Sequence, residues 1–234
     1  MKISALSIAF VALACSTVSA IAQEKSEGSA IFDGKSLKGW SAPDMSWWSV
    51  KDGAITAVSS EAKPCKHNQF LVWQDGKLED FELTLKFRIE GGKSANAGIQ
   101  VRSMVEDDGH VMGYQCDIAH PDAPYLGCIY DEKSPRKLLA GRGMKTTIAA
   151  DGSRTEEKIE GAEKALADYK QGEWADYKIK FIGNVLEIGI NGVTTAIVID
   201  QEEAEAEKSG ILALQLHSGP AMTIQYKDLV LKKL

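Results

Sequence analysis

Cysteine is scarce in this chain of 234 residues. Its four cysteines form no CxxC pair and no Cys/His cluster at zinc-site spacing, which argues against a structural zinc. No GxSxG elbow is present, no phosphate-cradling Walker loop, and no GxGxxG turn after a strand. Those absences set aside the common serine-hydrolase, P-loop and dinucleotide chemistries. Lysine and arginine number 27 against 33 aspartates and glutamates, a net charge of −6, and no long basic cluster occurs. An acidic chain of this kind is not built to meet the phosphates of nucleic acid. Long apolar runs are also missing. The run from Ile3 to about Ala14 is shorter than the ~20 residues that a spanning helix needs, and no other stretch could cross a membrane.

Lys2, that apolar run and the small residues of "STVSAIAQ" read as a secretory signal peptide over residues 1–22, cleaved after Ala20 or Ala22. An exported protein, periplasmic or secreted, is therefore expected. "ALAC" offers a lipoprotein alternative with lipid on Cys15, although Ala12 stands where a large aliphatic residue is usual. Without residues 1–22 the chain keeps 26 basic and 33 acidic residues, a charge of −7. Cys65, Cys116 and Cys128 then remain, an odd number. A hairpin centred near Asp122 would set Cys116 opposite Cys128, so both a disulfide and buried thiols stay open.

What the sequence has in quantity is alternation. In "FELTLKFRI" (81–89), Phe81, Leu83, Leu85, Phe87 and Ile89 share one face, and Glu82, Thr84, Lys86 and Arg88 share the other. "WWSVKDGAITAV" (47–58) reads as a hairpin turning at Asp52-Gly53. Residues 177–199 give three strands, punctuated by Gly183-Asn184 and Asn191-Gly192, and residues 210–219 and 222–234 supply the last two. One segment departs from this. In residues 153–174, Ile159, Ala162, Leu166 and Tyr169 fall near helical spacing, which predicts a short amphipathic helix or a pair of turns on the sheet. After a flexible leader at 23–30, residues 31–234 are expected to form one all-β domain, an antiparallel β-sandwich with one short helical insertion.

Three predicted strands carry a polar pair two residues apart, backed by an apolar face: Gln100 with Arg102, Gln115 with Asp117, and Gln215 with His217. Each pair alone suits an ordinary solvated face. If the three strands are neighbours, the pairs form a patch of an arginine, a carboxylate, an imidazole and three amides. Such a patch suits a polyhydroxylated ligand, because amides and carboxylates bond vicinal hydroxyls and imidazole moves protons near neutrality. "LGCIYDEKSPR" (126–136) adds Tyr130, Asp131 and Glu132 at the end of a strand, a usual place for functional side chains. Arg136 and Arg142 could shape its charge or simply be exposed. His67, His110 and His120 fall in predicted loops and read as surface residues. Trp40, Trp47, Trp48, Trp73 and Trp174 could form a stacking platform for sugar, although core packing accounts for most of them.

The motifs "IFDGKSLKGW", "WWSVKDGAI", "DFELTLKFRI", "AGIQVRS", "GYQCDI", "GCIYDE", "GEWADYKIKFIGNVLEIGINGV" and "GILALQLHSGPAMTIQYKDLVLKKL" together resemble the 3-keto-disaccharide hydrolase domain family, from about Ile31 to Leu234. The resemblance implies a concanavalin-like jelly roll and activity on glycosides whose sugar is oxidised to a ketone at carbon 3. Many members of the family carry Glu where Gln115 stands. A 3-ketone acidifies the hydrogen on carbon 2, so a base can remove it and the group on carbon 1 can leave, after which water adds. The implied roles are Asp117 or His217 as base, Arg102 at the enolate oxygen, and Glu132 or Tyr130 at the leaving group. Gln100, Gln115 and Gln215 would position hydroxyls, with Asp131 and Arg142 as further binding residues. A divalent metal could stand in for Arg102. The same sandwich also serves non-catalytic carbohydrate-binding modules and envelope domains, so a binding-only reading stands beside the hydrolase.

Overall fold

A computed structural model describes residues 28–132, 134–167 and 169–234. The signal peptide, the Cys15 alternative and residues 23–27 of the leader lie outside the described residues. The strands are β1 (Ser29–Ala30), β2 (Trp40–Ser41), β3 (Trp48–Lys51), β4 (Ala54–Ser59), β5 (Gln69–Trp73), β6 (Phe81–Gly91), β7 (Asn96–Val105), β8 (Val111–Ala119) and β9 (Ile129–Glu132). They continue as β10 (Lys137–Ala140), β11 (Met144–Ile148), β12 (Arg154–Lys158), β13 (Ala175–Ile182), β14 (Val185–Ile190), β15 (Val193–Asp200), β16 (Ile211–Leu216) and β17 (Met222–Lys233). Two sheets result. One runs β12-β11-β15-β14-β13-β6-β17-β4-β3, with β1 added beside β17, and the other runs β10-β9-β8-β7-β16-β5-β2.

Alternation builds the interior between them. Phe81, Leu83, Leu85, Phe87 and Ile89 of β6 are buried against Ile99, Tyr114, Cys116, Ile118, Leu212, Leu214 and Leu216 of the opposite sheet, in one core cluster. The hairpin turns take the backbone that their sequences allow. Asp52 and Gly53 have φ of 52° and 75°, and Asn191 and Gly192 have 51° and 78°, the left-handed pair that a two-residue turn requires.

Three details are decided by the fold. The sheets are antiparallel except for β11 and β15, which pair in parallel. β11 enters through a tight turn at Gly141–Met144 from β10 on the edge of the other sheet, and no hairpin joins it to β15. The segment 153–174 begins with the exposed edge strand β12, and only Ala162–Leu166 winds, as a 3-10 helix that buries Ala162 and Ala165. Cys116 and Cys128 do not bridge, and Cys65, Cys116 and Cys128 are free and buried. Cys116 stands opposite Ile129 and joins the core, while the Cys128 carbonyl accepts from the Asp117 N–H one position along. A shift of one residue sends the two thiols to opposite faces.

Candidate active site

The outer face of the seven-stranded sheet carries the site. Register sets its rows: Gln215 opposite Gly98 and Gly98 opposite Asp117, then Ala213, Gln100, Gln115 and Tyr130 in line, then Gly113 opposite Glu132. Strands β9, β8, β7 and β16 are therefore adjacent, and polar residues of three distant segments meet. Gly98 is required at its place. A Cβ there would fall 2.7 Å from both Cγ and Cδ of Gln115, whose side chain lies across the strand.

The Gln115 amide is the centre of a buried network. Its Oε1 accepts from Gln100 Nε2 at 2.7 Å and from Gln215 Nε2 at 2.6 Å, and its Nε2 donates to Asp117 Oδ1 at 2.7 Å. Asp117 is 4% exposed. Burial pushes its carboxyl up to about 8, against the lowering hydrogen bond from Gln115, and the charge of Glu132 adds to the rise. The carboxyl thus carries its proton at neutral pH.

Around it stand other titratable groups. The Nδ1 of His217 faces the Ser218 carbonyl, an acceptor only, so Nδ1 holds a proton there and Nε2 is the nitrogen left outside that bond. Asn68 Oδ1 accepts from the Ser218 N–H at 2.9 Å, and Asn68 Nδ2 reaches Glu132 Oε1 at 3.4 Å, tying the His217 turn to Glu132. His110 Nε2 lies 3.1 Å from the same Glu132 oxygen, and its ring packs edge-on against Phe70. Burial, then the Glu132 charge, raises Tyr130, which stays a neutral phenol. Gln115, Asp117, Tyr130, Glu132 and His217 open on one cavity of about 820 Å³. Pro124, Tyr125 and Leu138 form an apolar part of its wall. Asn96 also lines it, and the buried Oδ1 of Asn96 has no hydrogen-bond partner.

Several expected members are elsewhere. Arg102 does not join the patch. A bulge between Val101 and Met104 breaks the alternation, with Arg102 at φ +45°, so Ser103 takes the next outer position and its Oγ stands 3.0 Å from Gln100 Oε1. Arg102 instead donates to the carbonyls of Glu79 and Gly183 and to Asp80, and stacks 3.6 Å from the Phe181 ring centroid. Gln100 and Gln215 are fully buried and serve Gln115, leaving no surface for a hydroxyl. Asp131 alternates away from Tyr130 and Glu132 and pairs with Arg136 at 2.6 Å. Arg142 holds the carbonyls of Ala123 and Leu126. Of the tryptophans, Trp40, Trp48 and Trp73 are core, and Trp47 and Trp174 lie beside lysine or arginine. The aromatic rings of the cavity are Tyr125 and Tyr130.

Periodicity does not mark Asn68, His110, Asn96 or Tyr125 as site residues. They sit at strand ends or in loops, where no period marks them, and His110 is half-buried rather than a surface residue. Among the described residues, no group of three or more His, Cys, Asp or Glu side chains is placed to hold a metal ion, and no helix is long and apolar enough to cross a membrane.

A family model, the 3-keto-alpha-glucoside-1,2-lyase-like domain, matches residues 28–232, nearly the whole chain, and the chain belongs to that family. No curated protein sequence matches it. Among solved structures, a "putative glycosyl hydrolase" from Parabacteroides distasonis is 16% identical, with 89% of this chain and 94% of that one covered and a TM-score of 0.59. A second protein of the same description and organism is 18% identical over 85% and 95%, with a TM-score of 0.56. A Bacillus subtilis protein of unknown function with a galectin-like fold is 10% identical over 84% and 90%, with a TM-score of 0.52. At these identities the likeness is one of fold, the jelly-roll sandwich.

Proposed function

We propose that this member of the 3-keto-alpha-glucoside-1,2-lyase-like family is an exported enzyme that cleaves the glycosidic bond of 3-keto-glucosides, 3-keto-disaccharides included. The observation that carries the reading is a buried, protonated carboxyl, Asp117, sharing one sugar-sized cavity with the imidazole of His217. In this reading His217 Nε2 takes the proton from carbon 2 of the sugar, which the neighbouring ketone has acidified. The electron pair of that C–H bond forms the enolate across carbons 2 and 3, then moves to make a double bond between carbons 1 and 2 as the bond from carbon 1 to the leaving oxygen breaks and the ketone is restored. Asp117 gives its proton to that oxygen. Tyr130, kept neutral, donates to the enolate oxygen, where Arg102 does not reach. Water then adds across the double bond, its hydroxyl to carbon 1 and its proton to carbon 2, so the net change is hydrolysis with no redox step. Glu132 holds His110 and Asn68 and its charge keeps the Asp117 proton in place.

The test is turnover of plain and 3-keto-glucosides in heavy water. The expected result is release of the leaving group from the 3-keto substrate alone, with deuterium at carbon 2 of the sugar product. His217→Ala and Asp117→Asn should each lower kcat/KM by about 10²–10⁴-fold. Equal cleavage of plain glucosides, or full turnover by both variants, overturns the reading. Saturable binding of sugar with no product would move the chain to the binding-only class.

A further inference from the structure

The three glutamines are wired in one direction. With the Asp117 proton on Oδ2, its Oδ1 is an acceptor whether or not the carboxyl is ionised, so the Gln115 end facing Oδ1 is the NH2. Gln115 Oε1 then points back along the row, where two neighbours present NH2 groups, Gln100 at 2.7 Å and Gln215 at 2.6 Å. Turning the Gln115 amide over would set its NH2 against two other NH2 groups and its oxygen against the carboxylate. Gln100 is held in turn, its Oε1 beside Ser103 Oγ at 3.0 Å. The hydroxyl is shared with the Val101 carbonyl at 3.0 Å and lies 3.4 Å from that of Tyr114. Gln100 and Gln215 are fully buried and do not line the cavity. Two fully buried amides on neighbouring strands, both spent on one acceptor atom, are an expensive arrangement for a sheet that could have used leucine.

We propose that Gln100 and Gln215 are positioning residues: by donating together to Gln115 Oε1 they lock its amide with the NH2 on Asp117 Oδ1, which leaves Asp117 Oδ2 as the oxygen that exchanges a proton with substrate. The proton exchange rests on the activity proposed above, whereas the amide lock does not. Other groups that face Asp117 are accounted for. Glu132 and Tyr130 come from β9, Cys128 from the turn before it, and His217 from beyond β16. From the opposite sheet the Tyr177 hydroxyl donates to the Asp117 carbonyl at 3.2 Å, and Cys116 is its neighbour in sequence. The hydrogen bonds of the Gln100 and Gln215 amides run to Gln115 and Ser103 instead.

The test is a titration of Asp117 by NMR, with carboxyl-labelled aspartate and the signal assigned by Asp117→Asn. Gln100→Met and Gln215→Met keep the volume and remove the donors. With either donor gone the Gln115 amide loosens, and Asp117 loses part of a hydrogen bond to its charged form. The midpoint should move up, by about half a pH unit to one pH unit in each variant and further in Gln115→Met, since a hydrogen bond to a charged group shifts a midpoint on that scale. The falling limb of kcat/KM at high pH should move by the same amount, with KM little changed. A midpoint that stays put in both folded methionine variants overturns the proposal. If neither folds, Ser103→Ala decides, because it removes only the hydroxyl behind Gln100. An upward shift then supports the lock, and none overturns it. A chain whose Asp117 titrates as stated but which releases nothing from 3-keto-glucosides overturns the proposed activity and leaves the lock standing.

Discussion

Gly98 and Gln115 stand on neighbouring strands, and the Gln115 side chain occupies the space where a Cβ of residue 98 would be, 2.7 Å from its Cγ and Cδ. The absent side chain on β7 is what lets the amide on β8 lie flat and reach Asp117. Gly98→Ala should therefore push the amide off its seat. We expect a loss of about 1–3 kcal/mol in denaturant unfolding, the usual cost of overfilling a packed site. Turnover of the folded variant should fall with it, because Asp117 loses its donor. Unchanged stability and turnover would show that Gln115 has another place to go.

Asp117 makes stability depend on pH with an unusual sign. Its native carboxyl titrates at about 8 and its unfolded one at about 3.9. Between those values the native state binds a proton that the unfolded state has released, so stability falls as pH rises through the window. The slope from this one group is at most about 1.4 kcal/mol per pH unit. Asp117→Asn, which cannot ionise, should lose that slope. Urea unfolding at pH 5, 6.5 and 8 checks it: the variant should gain on the parent at each step.

Arg102 should prove structural. Its guanidinium is buried on Phe181 and makes three hydrogen bonds. Arg102→Met should cost about 1–3 kcal/mol, because the part-buried bonds to the Glu79 and Gly183 carbonyls and to the partly exposed Asp80 lose their charged donor. Well below its melting temperature the variant should keep kcat and KM. A large drop in kcat without loss of stability would return Arg102 to the chemistry.

Asn68 joins the His217 turn to Glu132 through one side chain. Asn68→Ala should lower stability by only about 1 kcal/mol. Its effect on kcat/KM should be larger, roughly tenfold or more, since the imidazole loses the contact that aims its turn. Equal, small effects on both would make Asn68 a loop brace and nothing more.

Much of this architecture is legible in one dimension. The alternation of Phe81 to Ile89 names the core face of β6, and Asp52-Gly53 and Asn191-Gly192 name their turns, because period and turn chemistry are local properties of the backbone. The pairs Gln115 with Asp117 and Gln215 with His217 are legible for the same reason. Arg102 is not, since a bulge that shifts the phase by one residue leaves no mark in the spacing, and the rule that finds Gln100 therefore misplaces its neighbour. His110, Asn68 and Asn96 are invisible to pattern, because strand ends and loops carry no period.

By itself the sequence determined a two-faced β protein with a polar row on some strands and an apolar core behind it. Only the tertiary structure decided which strands are neighbours, and register across β16, β7 and β8 turned three separate glutamines into one network. The physical reason is that hydrogen bonding between side chains depends on ångströms across the sheet, whereas the sequence records only distance along the chain. That is why Gln115 reads in isolation as a hydroxyl binder and in the fold as the donor that holds Asp117.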